Sequence, residues 1–155
     1  MATFRARNRS SAVLRSPRSE VWAVLTDADL IAKMTPYVTS IAVDGDRWRW
    51  RMGTIPVLGI SVAPHFTEVM ELHPEELIEF SHDPARKDEM TAVEGTYLLA
   101  DHADGGTEVS IDLEIACNLP LPGLARPAVE RVMTGVVKHM GVVFSRNLLK
   151  HLGEA

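Results

Sequence analysis

The sequence contains a single cysteine, Cys117, in 155 residues. One thiol excludes an intramolecular disulfide and is typical of a reducing compartment, so we expect a cytoplasmic protein. Its apolar stretches are all shorter than the roughly 20 residues that cross a bilayer, and the arginine-bearing N-terminus lacks the apolar segment of a secretion signal. We therefore expect neither a transmembrane segment nor export.

Acidic residues outnumber basic ones, and the formal net charge is −5. Nucleic-acid binding depends on clustered Lys and Arg, so we expect no nucleic-acid partner. The six histidines lack the close spacings common among metal ligands. No phosphate-binding loop, dinucleotide fingerprint or serine-nucleophile motif occurs. We therefore expect neither a metal nor another cofactor.

What the sequence does contain is the length and apolar content of one globular domain. Hydrophobic residues make up 46% of it, and no stretch has the composition of a long linker. We expect a single domain over residues 1–155.

Period-two alternation of apolar and polar residues predicts a largely antiparallel sheet. Its clearest strand follows Asp44-Gly45-Asp46, where Trp48, Trp50 and Met52 share one face and three arginines the other. A slip of one residue would bury the arginines, so the register is well determined. Strands are predicted at residues 3–14, 38–43, 47–52, 58–72, 77–82, 90–100 and 107–119.

Three helices are predicted between and after these strands. Ser16 followed by Pro17 is typical of an N-cap and first helical residue. A second short helix is expected over residues 27–36. The third begins near Pro127 and runs to about Leu152, with an apolar stripe about 160° wide that requires a curved surface around it.

This order of elements resembles the helix-grip fold of the START-like superfamily, also called SRPBCC, which includes polyketide cyclases and coenzyme Q-binding proteins. The resemblance is carried by residues 16–22 with Leu25 and Asp27, by residues 95–97 with 106–109, and by the amphipathic tail. It implies an α+β fold in which a curved antiparallel sheet of about seven strands surrounds a long C-terminal helix, with two short helices after the first strand. It also implies a cavity that holds a hydrophobic molecule.

Alternation along the strands and the spacing of apolar residues along the last helix predict which side chains would line such a cavity. The alternative is that they simply fill the core. The candidates are Trp48, Trp50, Phe66, Phe80, Tyr97, Ile115, Cys117, Val136, Met140, Phe144 and Asn147.

Three polar residues stand out among the inward positions. A buried Tyr97 phenol needs a hydrogen-bond partner, which a ligand or a backbone carbonyl can provide. Asn147 falls in the middle of the apolar arc of the last helix, where it is either a pocket group or solvated at a frayed end. Strict alternation would bury Glu68 as a potential acid or base, but we favour a β-bulge or strand end that leaves it outside.

Three functions remain open. We favour non-catalytic binding of a lipid, quinone or polyketide-like molecule by a monomer or homodimer, because inward polar groups are scarce. A cyclase or dehydratase would use Glu68, Tyr97 or Asn147 to polarise a carbonyl. An interaction module would expose Val142 and Leu149 on one helical stripe. Residues 53–59 and 118–123 are candidate gates.

Overall fold

The computed structural model describes residues 1–154, in which nine β-strands and three α-helices follow one another. The strands are β1 (Ala2–Leu14), β2 (Val38–Asp44), β3 (Arg47–Met52), β4 (Ile55–Val57), β5 (Ile60–Val62), β6 (His65–His73), β7 (Leu77–His82), β8 (Thr91–Asp101) and β9 (Thr107–Leu119). The helices are α1 (Arg18–Leu25), α2 (Ala28–Met34) and α3 (Arg126–His151). None of these helices combines the length and hydropathy needed to cross a bilayer.

Seven strands form one curved antiparallel sheet in the order β1-β9-β8-β7-β6-β3-β2. The first strand pairs with the last along its whole length, from Ala2 opposite Leu119 to Leu14 opposite Thr107. This pairing makes β1 one edge strand of the sheet. The predicted α+β helix-grip architecture is confirmed, with two short helices after β1 and a long C-terminal helix.

The single strand predicted over residues 58–72 is wrong. Leu58 and Gly59 have φ values of 45° and 86°, which place a tight turn where a continuous strand was expected. The segment instead forms a separate hairpin of β4 and β5, and β6 begins only after Pro64. Ile55 and Val57 of this hairpin are buried, so the segment proposed as a gate contributes to the core.

The N-cap predicted at Ser16 is also wrong. Helix α1 begins at Arg18 with Pro17 as its N-cap, and no side chain caps it. The Ser16 hydroxyl instead donates to Glu154 Oε2 at 2.7 Å, while the backbone N–H of Arg15 donates to Oε1 at 2.6 Å. The C-terminal end of the chain therefore fixes the junction between β1 and α1.

Helix α3 has 26 residues and begins with a proline in its first turn, as predicted. It packs mainly along β1 and against α2. Within this fully described helix, only Val129, Met133 and Leu148 are buried. Between Met133 and Leu148, the inward side chains Val136, Met140 and Phe144 are half-buried.

The buried core is divided into two clusters, whereas a domain usually has one contiguous core. The first joins α1 and α2 to Leu148 and the inner faces of β2, β3, β6, β7 and β8. The second joins β1, the β4–β5 hairpin and the end of β9 to Val129 and Met133. Half-buried Ile115 and Met52 pack against both clusters and so lie between them.

The arginine row of β1 lies on the outer face, as the alternation predicted. Arg5 pairs with Glu114 at 2.8 Å and Arg7 with Asp112 at 2.9 Å, both on the neighbouring strand β9. These pairs are exposed, so they favour the register more than they stabilise the fold.

Candidate functional site

The inner face of the sheet carries a central row of side chains across three strands. Trp48 of β3 lies opposite Glu68 of β6, which in turn lies opposite His82 of β7. Trp50 and Phe66 form the next cross-strand pair. The predicted register of β3 is confirmed, because both tryptophans are inside and their neighbouring arginines point outward.

Four of the nominated cavity residues are fully buried among other side chains. Trp48, Phe66 and Phe80 belong to the first core cluster, with exposures of 5–6%. Cys117 belongs to the second cluster, and its Sγ lies 3.5 Å from the Thr91 hydroxyl. Burial raises the pKa of this thiol, which keeps it protonated.

Six other nominated residues are half-buried although they lie on inward positions. Tyr97 and Phe144 pack against the first cluster, and Val136 packs against the second. Met140 belongs to neither cluster. The full set is Trp50, Tyr97, Ile115, Val136, Met140 and Phe144. Of these six, only Ile115 packs against both clusters.

Glu68 lies inside the protein, contrary to the β-bulge or strand end that we favoured. It pairs in regular register with Trp48 and His82, and its exposure is 3%. Burial raises the pKa of its carboxyl to about 8, and the nearby indole of Trp50 opposes this shift. With that pKa, the carboxyl is mainly a neutral acid at neutral pH.

Two further polar groups lie close to Glu68. Burial, and then the negative charge of Glu68, raise the pKa of Tyr97 above its ordinary value. Its ring contacts Phe80 at a centroid distance of 5.8 Å, and its hydroxyl has no hydrogen-bond partner in the described part of the chain. Trp50 stacks on Phe66 at 5.6 Å, and its buried Nε1 also lacks a partner there.

The side chain of Asn147 is hydrogen-bonded within the protein. Its Nδ2 donates to the carbonyl oxygen of Met34 at 2.8 Å, which satisfies the C-terminal end of α2. This contact explains a polar residue in the apolar arc of α3.

Of the two positions expected on an exposed stripe, Val142 is 50% exposed, but Leu149 packs against the first core cluster. That stripe is therefore not formed as predicted.

His82 and Glu89 form a polar contact that the sequence analysis missed. Glu89 is buried in the loop after β7 and accepts hydrogen bonds from Thr67 N and Oγ1, both at 2.8 Å. His82 Nε2 lies 3.0 Å from the carbonyl oxygen of Arg86, and since a carbonyl only accepts, Nε2 carries the hydrogen. His82 Nδ1 lies 3.9 Å from Glu89. The only indication in the sequence was that His82 lies two residues after Phe80, which places both side chains on the same face of the strand.

Three side chains on the outer face could hold a cation. His73 Nε2 lies 3.2 Å from Glu79 Oε2 and 3.6 Å from Glu71 Oε1. Two of them are two residues apart on β6, and the third is across the ladder on β7, so sequence spacing alone did not reveal them. All three are well exposed and already pair with one another.

Two shallow grooves lie on the surface. One of about 490 Å³ is lined by Arg9, Thr96 and Asp112 on the outer face, and one of about 600 Å³ is lined by Asp27 and Asp29. Both are open, and in the first the charges already pair, since Arg9 Nε lies 3.1 Å from Asp112 Oδ2. The interior is the better candidate site, because buried polar atoms such as Trp50 Nε1 lack partners there.

Comparison with known families gives one match, over residues 5–142, to the family described as polyketide cyclase/dehydrase and lipid transport. The chain belongs to this family. A search of curated proteins gives no match.

This polyketide cyclase/dehydrase family member is similar in fold to solved structures over nearly its whole length. A protein from Thermus thermophilus is 21% identical, with 94% of this chain and 98% of that chain covered and a TM-score of 0.68. The Zhui aromatase/cyclase from Streptomyces sp. R1128 is 14% identical, with 95% and 93% covered and a TM-score of 0.69. A START superfamily protein from Mycobacterium smegmatis is 14% identical, with 93% and 97% covered and a TM-score of 0.66. At these identities the likeness shows the START-like fold.

Proposed function

We propose that this protein binds a small, mostly apolar molecule between the sheet and the middle of α3. The observation that carries the proposal is the division of the core, with Met140 outside both clusters and no buried residue in α3 between Met133 and Leu148. Leaving apolar side chains half-buried inside a domain forgoes roughly 25 cal/mol for each Å² that could be covered. A ligand would recover that free energy.

The lining supports a ligand of lipid, quinone or polyketide type. Half-buried Trp50, Ile115, Val136, Met140 and Phe144 supply an apolar wall. Binding sites for small molecules are mainly apolar, with a few polar groups that fix orientation. The family description, which names both polyketide chemistry and lipid transport, agrees with such a ligand.

A second candidate function is catalysis of the cyclase or dehydrase type. One specific observation favours it: Glu68 is buried beside Tyr97 with a pKa raised to about 8. A carboxyl group with a pKa near neutrality can both give and take a proton at working pH. This candidate requires that Glu68 contact a bound substrate, so it depends on the same interior site.

Native mass spectrometry of freshly purified protein, and NMR of protein labelled on the methionine methyl groups, test the binding proposal. The probe is 2-ethylnaphthalene, a rigid apolar molecule without polar groups. We expect its addition to shift the Met140 methyl signal, assigned with Met140→Leu, while the signal of Met1, which is 82% exposed, stays in place.

Two further outcomes would count against the proposal. In the first, only bare protein is seen and no methyl signal shifts at saturating probe. In the second, Met1 responds as strongly as Met140, which indicates non-specific adsorption.

A further inference from the structure

Two neighbouring turns at one end of the molecule each present a leucine to solvent. Leu58 at the tip of the β4–β5 hairpin is 48% exposed, and Leu124 in the turn before α3 is 96% exposed. The turns lie at the same end because Val57 belongs to the second core cluster, against which Leu121 and Ala125 also pack. A single exposed leucine is ordinary, but several large apolar side chains at one end form an interaction surface.

Two exposed methionines lie at this same end. Ala2 pairs with Leu119 at the end of β9, which places the preceding Met1, 82% exposed, beside the turn that leads to α3. The carbonyl oxygen of Met90 accepts the N–H of Asn118 at 2.8 Å, and Met90 is 42% exposed. Four large apolar side chains are therefore exposed at the end of the molecule where α3 begins.

The conformation of Leu58 is unfavourable for its residue type. Its φ of 45° lies in the left-handed region, where the Cβ of an ordinary residue is crowded. Asn, Asp and Gly are the usual residues at the first central position of such a hairpin turn. Because Leu58 is half exposed, packing offsets little of this strain. A strained residue that gains little from packing is a candidate for a functional role.

Unpaired positive charge adjoins this apolar surface. Residues 47–66 and 118–135 together carry five arginines and one glutamate, although the net charge of the whole chain is −5. That glutamate already pairs with an arginine of α3 at 3.5 Å. Arg51, just before the hairpin, and Arg131, in α3, are exposed and have no ion-pair partner among residues 1–154. The exposed loop 85–88, before Met90, adds two cations and one acid.

We propose that this end of the protein docks onto the surface of a bilayer that contains anionic lipid. Leu58 and Leu124 would enter the boundary between headgroups and acyl chains, while Arg51 and Arg131 contact lipid phosphates. The proposal concerns a second surface and does not depend on the interior site.

A bilayer fits this surface better than another protein does. The leucines project from separate turns, and neither of the two surface grooves includes them, so a partner of fixed shape has no concave surface to fill here. A second copy of the chain would bring the same unpaired arginines face to face, which is repulsive. A lipid surface needs no matching shape and supplies the missing negative charge.

Flotation of the purified protein with two kinds of vesicle tests the proposal. One kind is pure phosphatidylcholine, and the other contains about 30 mol% phosphatidylglycerol. We expect the anionic vesicles to bind the protein about tenfold more tightly or better, since each arginine near the surface adds to the attraction. Raising the salt concentration from about 50 mM to about 500 mM should remove most of this preference, because the charges are then screened.

Leu58→Asn tests the apolar contact separately from folding. Asn tolerates a positive φ, so thermal stability should be kept or raised, whereas affinity for the anionic vesicles should fall about tenfold. The matched control is Leu98→Asn, which alters a leucine that is 51% exposed on β8. It should leave vesicle affinity unchanged.

Arg51→Gln tests the electrostatic contact. It should lower affinity for the anionic vesicles about fivefold and leave the weak binding to phosphatidylcholine as it is. Arg146→Gln is the matched control, because Arg146 is an exposed arginine near the other end of α3, and it should change neither.

Three results would overturn the proposal. In the first, neutral and anionic vesicles bind equally or not at all. In the second, Leu58→Asn binds the anionic vesicles as tightly as the parent does. In the third, analytical ultracentrifugation shows a dimer that Leu58→Asn converts to a monomer, which would assign this end to a second copy. None of these results affects the interior site, because Leu58→Asn should still show the Met140 methyl shift with 2-ethylnaphthalene.

Discussion

The carboxyl group of Glu68 lies beside the indole of Trp50 inside the protein, where burial raises the pKa of the carboxyl and the indole opposes that shift. Both strands are in regular register at this point, so no local distortion explains the arrangement. The chain retains an ionisable group where an apolar residue would pack without cost. Such groups cluster at functional sites, and four predictions follow for this site and its supports.

Glu68 should make the protein less stable as pH rises. Its pKa is 4.5 when unperturbed and about 8 in the folded protein. Between these values the folded state holds one more proton than the unfolded state, so the free energy of unfolding falls with rising pH, by a few kcal/mol in total. Glu68→Gln cannot ionise, and we expect its advantage over the parent to grow from pH 4.5 to pH 8 and then level off.

Chemical denaturation across this pH range measures the difference. Glu76→Gln, at an exposed position, is the control and should follow the parent at every pH. A difference between Glu68→Gln and the parent that stays constant with pH would show that Glu68 is ionised in the folded protein at all these values.

A larger side chain at Met140 should occupy the proposed binding site and reduce ligand affinity without unfolding the protein. We expect Met140→Trp to reduce affinity for 2-ethylnaphthalene at least about tenfold while thermal stability is kept, because the larger side chain occupies space rather than displacing packed atoms. The matched change Met133→Trp, seven residues earlier at a buried position, should cost about 1–3 kcal/mol from overpacking. Equal destabilisation by both variants would indicate that the region around Met140 is already filled.

Asn147 should act as a structural link between α3 and α2. Asn147→Ala removes the donor to the Met34 carbonyl and leaves this acceptor without its partner, so we expect a loss of about 1–2 kcal/mol in the free energy of unfolding. Ser145→Ala, at an exposed position on the same helix, should change it by less than about 0.5 kcal/mol. Ligand affinity unchanged in folded Asn147→Ala protein would agree with a link; a selective loss of affinity at full stability would assign Asn147 to the site instead.

Glu154 should stabilise the protein at neutral pH and lose that effect in acid. Burial raises the pKa of its carboxyl, but hydrogen bonds from Arg15 and Ser16 outweigh this and hold the pKa below the ordinary 4.5. A lowered pKa gives stability that is present above the unfolded pKa and disappears as pH falls through the folded one. We expect Glu154→Gln to cost about 1–2 kcal/mol at pH 7 and little at pH 3.

Thermal unfolding at the two pH values measures this effect. Glu108→Gln, at an exposed position of β9, is the control and should cost little at either pH. A penalty for Glu154→Gln that is the same at pH 3 and pH 7 would contradict the ionic role of the carboxylate.

The parts of the fold that could be predicted depend on local pattern. Alternation around Trp48 and Trp50 specified the faces of β3, because one face of a half-buried strand must be apolar. The continuous strand predicted over residues 58–72 failed because Leu58 adopts a positive φ in a turn that its residue type does not suggest, and because the chain breaks again at Ala63 and Pro64. The expectation of a cavity and its wall came from the family resemblance, and composition does not distinguish residues that fill a core from residues that line a space.

The sequence by itself determined the antiparallel sheet, the register of its tryptophan strand, the long amphipathic helix and the family, since each follows from periodicity or from short motifs within one segment. Tertiary structure alone decided that Glu68 is buried, that Asn147 reaches Met34 and that Ser16 reaches Glu154. These contacts join segments far apart in the chain, and the environment of a polar group depends on what surrounds it in space.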